Sequence, residues 1–525
     1  MAEVSDVVQR SMSINEKLHP RLKTAAEQNA ILRIGWTNAG DPVPKNGELG
    51  LCPGLPEGAR IRALGKLGSW VAAFGRGGSF TIQGDAEHYL GAINNGCTIT
   101  CEQFAGNFAG YMMSEGTIRI LEGVGNDAGS CMNGGILFIR GSAGSRLGSG
   151  MSEGLIIVHG DVGEEPGIGM TGGQIIINGR CPQPPEGVRL RPLSQKEVNA
   201  INKKVDDEDM RIPMDAVCLE CDEFLAQPIE HTYASSGDLS SIGVVSEQQH
   251  QLTKQASVDT VALIGESDGT NTVALPLPIL PVVQSGSSLQ PNEELPPAIS
   301  ELLNSQPVIA YDEPRTIDFQ YVGASTFHTI SSSLSDSAGV VIDFDSMPHL
   351  NAEELDGLIV ALKGISKPNI IIGSLQSISR VEHQHQRATH HNIDLSISRL
   401  EDGSGIPHIA ALPLIGRSAK SHLSNNHHAS GAFSELALNG HDILILLASG
   451  INVAASMCPV EEPDEIAEWL YSIQQELTHH MRRIGVITID SLSRSHLRAL
   501  DYDTAAISGL RLTGYERPLP HWFSR

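Results

Sequence analysis

The chain has 525 residues, 40% of them hydrophobic, which is enough for two or three domains that each bury a core. No stretch approaches the roughly 20 unbroken apolar residues of a membrane helix, and the opening MAEVSDVVQRSMS lacks the apolar centre of a signal peptide, so no membrane association and a cytoplasmic location are expected. The formal net charge of −25 repels a phosphate backbone and sets nucleic acid aside, and eight thinly spread cysteines read as free thiols rather than a disulfide scaffold.

Residues 1–60 read as an N-terminal extension, and residues 61–205 as a repeat unit. Glycine numbers 54 while aromatic residues make up only 4%, a balance that suits tight turns stacked in an array. Gly91, Gly110, Gly129, Gly148 and Gly167 recur at a spacing of 19. Two further registers keep the same step, one through Gly116, Gly135, Gly154 and Gly173, the other through Gly141, Gly160 and Gly179. Between them lie short aliphatic runs such as Ile136-Leu137-Phe138-Ile139 and Leu155-Ile156-Ile157-Val158, too short for helices and flanked by residues that allow sharp corners. This pattern predicts a right-handed parallel β-helix that turns once every 19 residues, with Ser79-Phe80-Thr81-Ile82-Gln83-Gly84 as an irregular first rung. Met113, Met132, Met151 and Met170 keep the beat and are assigned to the interior, where thioethers fill a narrow core. Gly75-Arg76-Gly77-Gly78-Ser79 resembles a phosphate loop in composition only, because a strand-like run follows it where such a loop opens a helix. The stretch from Arg180 to Val205 is expected to cap the last rung.

Residues 206–300 read as linker and irregular chain, with a Ser- and Gln-rich segment from Thr232 to Ser257 and a soft loop from Gln284 to Pro297. Cys218-Leu219-Glu220-Cys221 lies alone, without the second pair a zinc site uses, and is read as a reduced structural pair. From residue 301 to 525 the pattern is α/β. Strands are expected at Val340–Phe344, Asn369–Gly373, Ile393–Ile397, His408–Leu412 and Asp442–Leu447, and helices at Ala352–Leu362 and Glu465–Met481, an alternation that suits a (β/α) barrel. The histidine pairs in His383-Gln384-His385, His390-His391, His427-His428 and His479-His480 are assigned to solvated surface rather than to a metal.

The repeat Gly110-Tyr111-Met112-Met113-Ser114-Glu115-Gly116-Thr117-Ile118-Arg119-Ile120 resembles the GXGXG domain of the glutamate synthase large subunit, and also the β-helical chain of formylmethanofuran dehydrogenase. In the second half, Leu350 to Lys363 resembles an acidic turn and helix of the glutamate synthase FMN-binding domain. Leu436 to Ile445 is similar to its A-L-G-A-D junction, Met457-Cys458-Pro459-Val460 to its C-P-V loop, and Ile473 to Leu492 to its closing helix and loop. The resemblance implies a β-helix followed by a degenerate FMN-barrel-like domain, in the reverse of the usual order.

Departures from that family bear on function. Only Cys458 stands where the family carries a three-cysteine iron-sulfur site, so no cluster is expected. Of the family's flavin-phosphate loops, one is similar to Asp402-Gly403-Ser404-Gly405-Ile406; the other, at Asn426 to Ala432, keeps Gly431 but lacks its leading glycines and acid. Asp402, Gly403, Gly405 and Gly431 are therefore the candidate FMN contacts, FMN itself is not expected to be held firmly, and no catalytic residue is assigned. The basic residue the family places on a central strand has no counterpart in Asn369–Gly373. Ala2 follows Met1, not the cysteine a glutaminase uses as nucleophile. The resemblance implies a non-catalytic scaffold subunit of a split glutamate-synthase-like complex, similar to N-methylglutamate synthase. Such a subunit works in a hetero-oligomer with a glutamine amidotransferase subunit and an intact FMN synthase subunit. The alternatives are a divergent FMN-dependent oxidoreductase and a component of a formyl-transfer complex.

Overall fold

The computed structural model describes residues 6–35, 47–205, 208–221, 239, 241–245, 261–265, 271–291, 295–324, 326, 337–365, 370–423 and 428–515. The expected linker Thr232–Ser257 lies almost wholly outside the described residues, as do Asn426 and His427. No described helix is long and apolar enough to cross a membrane.

Strands β1 (Ile31–Ile34), β2 (Arg60–Leu64), β3 (Ser79–Gln83), β4 (Asn95–Cys101), β5 (Glu115–Ile120), β6 (Asn133–Ile139), β7 (Glu153–Val158) and β8 (Gln174–Ile177) lie side by side in chain order and pair in parallel. From β3 onward the register steps by 19: Phe80 stands opposite Ile99, then Ile118, Leu137, Ile156 and Ile175. A second line of parallel bridges joins Leu67, Ala86, Ala105, Val124, Ala143 and Val162 at the same step. Equivalent residues therefore stack in ladders, and the resulting core includes the four periodic methionines, all buried.

The corner between strands explains the glycines. Gly91, Gly110, Gly129, Gly148 and Gly167 have φ between 60° and 73°, the left-handed region where a Cβ is strained. Two residues earlier in each turn, Tyr89, Phe108, Asp127, Arg146 and Glu165 adopt the same region with a side chain, held by backbone bonds to the next turn such as Tyr89 N to Asn107 O. The third register works differently. Gly141, Gly160 and Gly179 lie so close to the preceding turn that a Cβ on Gly160 would meet Gly141 O at 2.5 Å.

Both ends are covered. Helix α1 (Asp6–Glu27) packs Ile14, Leu18 and Leu22 against the core that holds Leu32 and Ile34, so the expected N-terminal extension supplies a cap and the first strand. At the other end β10 (Val217–Cys221) pairs antiparallel with β8, and β9 (Val188–Pro192) pairs with β10. Helix α2 (Gln195–Lys204), opened by a Ser194/Glu197 capping box, covers the outer face of Phe138, Ile157 and Ile176. Cys218 and Cys221 thus belong to a covering strand, and burial pushes the Cys218 thiol up to about 12.

Two small pairings, β11 (Ile242–Val244) with β22 (Leu497–Ala499) and β12 (Val261–Gly265) with β13 (Asn271–Leu275), accompany the second half. There β14 (Ile279–Ser285), β15 (Ile309–Asp312), β16 (Phe319–Val322), β17 (Gly339–Asp343), β18 (Ile371–Ser377), β19 (Leu395–Arg399), β20 (Ala429–Ser434) and β21 (Val453–Met457) form a closed barrel, β14 pairing in parallel with β21. Helices α3 (Pro297–Ser305), α4 (Ala352–Ile365), α5 (Val381–His391), α6 (His408–His422), α7 (Gly440–Ala448), α8 (Pro463–Ile484) and α9 (Tyr502–Ser508) complete this half. The first barrel strand falls inside the stretch 206–300 that the sequence assigned to linker and irregular chain.

Two expected strands are helices. His408–Leu412 opens α6, and Asp442–Leu447 lies within α7, because a short apolar run carries no period that separates a buried helix from a buried strand. The α7 run is buried on nearly every side, and its true signal was the capping box of Asn439 and Asp442.

Among the described residues the barrel rests on the stack through apolar contacts centred on α4. Trp70, Tyr89 and Phe108 stack ring on ring with centroids 4.5 and 4.8 Å apart, and this ladder packs with Leu355, Leu358, Ile359 and Leu362 of α4. Gly357 makes the approach possible, since a Cβ there would stand 3.0 Å from Trp70 Cδ1 and 3.1 Å from Ser69 O.

Candidate functional site

Alternate residues on each barrel strand face the lumen. In the lower layers these are apolar, among them Leu280, Phe319, Ile371 and Leu395. Toward the strands' C-terminal ends the lining turns polar around a cavity of about 420 Å³, with Tyr311, Tyr321, Arg399, Phe433, Glu435 and Met457 in its wall. This is the end at which barrels of this architecture carry their sites.

The polar groups are joined. Tyr321 donates to Asp343 Oδ2 at 2.5 Å, and Arg399 Nη2 donates to the same oxygen at 2.9 Å. Asp343 is buried, so the ion pair and the phenol together compensate a carboxylate removed from water. Tyr311 stacks on Tyr321 at 4.2 Å, and the Arg399 guanidinium lies 5.9 Å from the Phe433 ring centre. Arg399 Nε is buried without a hydrogen-bond partner among the described residues. Burial and the Asp343 charge raise the Tyr321 phenol, which stays protonated as a donor. At the rim, partial burial and then Glu401 raise the Glu435 carboxyl, against the opposing pull of Arg399. Behind it Glu401 accepts from Ser434 Oγ at 2.8 Å and Glu435 N at 3.0 Å, and sits 3.0 Å from His408, which fixes the exit of β20. The mouth therefore offers a fixed ion pair, two protonated phenols and one carboxyl made less acidic by partial burial.

None of the sequence-based candidates lines this cavity. Gly431 is inside β20, where a Cβ would meet Ile397 Cγ1 at 3.1 Å and Val453 Cγ1 at 3.3 Å, so it is wall rather than loop. Asp402, Gly403 and Gly405 form the turn after β19, with both glycines at positive φ. The Asp402 carboxylate is committed to Ser379 N and Ser404 N, which hold it below the usual range despite partial burial, so it braces two adjacent loops. Sequence reasoning missed Tyr321, Asp343, Arg399 and Glu435. The alternation Leu395-Ser396-Ile397-Ser398-Arg399, ending in a cation on the lumen face, was the available signal.

A flavin mononucleotide in such a barrel rests its phosphate at the exits of the seventh and eighth strands and on a nearby helix N-terminus. Here those exits carry Glu435, Pro459, Glu461, Glu462 and Pro463. The N–H groups of Glu435 and Leu436 are spent on Glu401 and Ser434, Gly440 N at the start of α7 on Glu476, and Cys458 N on Val282 O. Carboxylates thus take the N–H groups at the exit of β20 and the start of α7, and the lumen guanidinium of Arg399 is already paired. The residues present do not fit a flavin phosphate at that place. Cys458, half-buried, has its thiol raised to about 11 by burial, and the described residues contain no group of three His, Cys, Asp or Glu that could hold a metal.

No protein-family model and no curated protein matches the chain. Among solved structures it is similar to a mutant flavocytochrome b2 with benzoylformate at 13% identity and a TM-score of 0.35, over 54% of this chain and 84% of that one. It is also similar to a mandelate oxidase mutant with a C4a-OH-FMN adduct, at 13% identity and 0.34 over 49% and 87%, and to a monotopic membrane protein, (S)-mandelate dehydrogenase, at 10% and 0.32 over 49% and 88%.

Proposed function

We propose that this chain is a subunit of a glutamate-synthase-like assembly that carries out no flavin chemistry of its own and keeps a small-molecule pocket at its barrel mouth. In this reading the stack is a right-handed parallel β-helix of the GXGXG type, residues 61–205 form its core unit, and the barrel packed on it is the degenerate relative of a flavin domain. Glutamine hydrolysis and flavin redox steps fall to two partner chains, an amidotransferase and an intact FMN synthase subunit. The observation that carries the proposal is the set of carboxylates and prolines at the exits of β20 and β21, where a flavin phosphate needs free N–H groups.

The test is the cofactor content of the full-length protein purified from its native organism, with its co-purifying chains identified. The proposal expects recovery with an amidotransferase and a flavin subunit, and no flavin on this chain once it is separated from them. FMN released in stoichiometric amount from the chain alone would overturn it. That outcome would favour the second reading, a divergent FMN-dependent oxidoreductase, which is supported by the lumen cavity and by the partly buried Glu435 carboxyl in its wall.

A further inference from the structure

A second cavity, of about 320 Å³, lies outside the lumen between the loop after β17 and helix α5. His349, His383, His390, His391 and Arg387 stand in its wall, and none of its lining residues is Asp or Glu. On a chain with 61 acidic and 36 basic residues, a cavity whose ionisable wall is basic alone is not the expected outcome of composition. Arg387 rests its guanidinium 4.9 Å from the Phe344 ring centre, half-buried, and no carboxylate among the described residues pairs with it. Burial and then Arg380 lower its pKa, and burial followed by Arg387, His349 and Arg380 lowers that of His383. The cations repel one another, and an anion placed among them removes that repulsion.

The carboxylates on the surrounding elements are turned to other tasks. Asp356 of α4 accepts from His391 at 2.7 Å, Glu354 caps Asn351 N at 2.8 Å and stands 3.9 Å from His88, and Asp345 accepts from Ser377 at 2.8 Å. Glu353 and Glu382 are exposed, and on the far side of α5 His385 meets Ser418 of α6, with His422 near it. His390 bonds Gln386 O through Nδ1, which leaves its Nε2 for a ligand.

We propose that this cavity binds the phosphoryl group of a small phosphorylated molecule, with Arg387 as the cation and His349, His383 and His390 as imidazole donors. The volume lies at the lower end of the ~300–1,000 Å³ range of small-ligand pockets, and Leu350 and Leu355 line it for an organic portion. A phosphoryl dianion matches a forked guanidinium flanked by imidazole N–H donors.

Isothermal titration of the full-length protein with inorganic phosphate and with glycerol 3-phosphate, at about pH 8 where both are dianions, tests this. The expected result is tighter binding of glycerol 3-phosphate than of inorganic phosphate, weakened roughly tenfold in Arg387→Gln and partly restored in Arg387→Lys. In His349→Gln/His383→Gln, whose two sites are exposed, binding should weaken while the melting temperature stays put. No phosphate binding by the wild type, or equal binding by a folded Arg387→Gln protein, overturns the site. Equal affinity for the two ligands overturns its assignment to a phosphorylated molecule and assigns it to free phosphate. None of these outcomes depends on the flavin content that tests the proposed function.

Discussion

At Gly148 the backbone sits at φ 67°, and a Cβ would meet Ile175 Cδ1 at 2.6 Å, so conformation and space forbid a side chain together. Gly148→Val should cost roughly 2–4 kcal/mol and lower the melting temperature by several degrees. A melt equal to wild type would remove the corner argument. Arg399 poses the opposite case, a side chain whose loss strands a partner. Arg399→Leu leaves Asp343 to the neutral donors Tyr321 Oη and Asp345 N and should destabilise by roughly 2–4 kcal/mol, whereas Arg399→Leu/Asp343→Leu should recover part of that loss in urea unfolding. A double variant weaker than the sum of its singles would contradict it. His385 is fully buried against Ser418, and burial lowers its pKa to about 4. Because the folded pKa lies below the unfolded value of about 6.5, the unfolded chain takes up a proton first as pH falls. The stability held above about pH 6.5 should therefore drain away by about pH 4, by up to about 3 kcal/mol, and His385→Phe should flatten that slope.

Among the elements, α4 joins the two halves. Its Gly357 admits Trp70, its Gly364 admits Pro53 and Asn15, and its aliphatic residues fill the seam between stack and barrel. Gly357→Val would push the helix off Trp70 and Ser69, so the Trp70 fluorescence should shift red and the ring stacking signal in near-ultraviolet circular dichroism should weaken. An unchanged Trp70 environment would show that the seam yields without cost. Helix α7 makes a related point. Its Asn439 and Asp442 satisfy the first turn locally, and its start is further tied to Glu476 of α8, so the anion-accepting end of that helix is closed by the chain's own carboxylates.

For the whole molecule, a seam built from three stacked rings and an aliphatic helix face predicts that stack and barrel unfold as one unit. Scanning calorimetry of the wild type should give one transition, and Gly357→Val should split it into two, with the barrel the first to melt since the stack carries its own continuous core. Two transitions in the wild type would show that the halves are energetically independent.

The sequence by itself determined the stack. A period of 19 in glycines, methionines and aliphatic runs is a local property repeated many times, and each copy states the same corner, the same ladder and the same interior position. It also located the α/β half and helices α4 and α8, whose lengths and amphipathic patterns leave little ambiguity. Only the tertiary structure decided the rest. Whether Ile443 to Leu447 is strand or helix depends on what surrounds it, since a run buried on all sides carries no period. Gly431 reads as a loop glycine until the strand register places it in the barrel wall. The mouth was invisible for the same reason: Tyr321, Asp343, Arg399 and Glu435 come from elements far apart along the chain, and only closure of the barrel brings them around one cavity. Burial then raises the Tyr321 phenol and the Glu435 carboxyl, a property that no spacing in the sequence records.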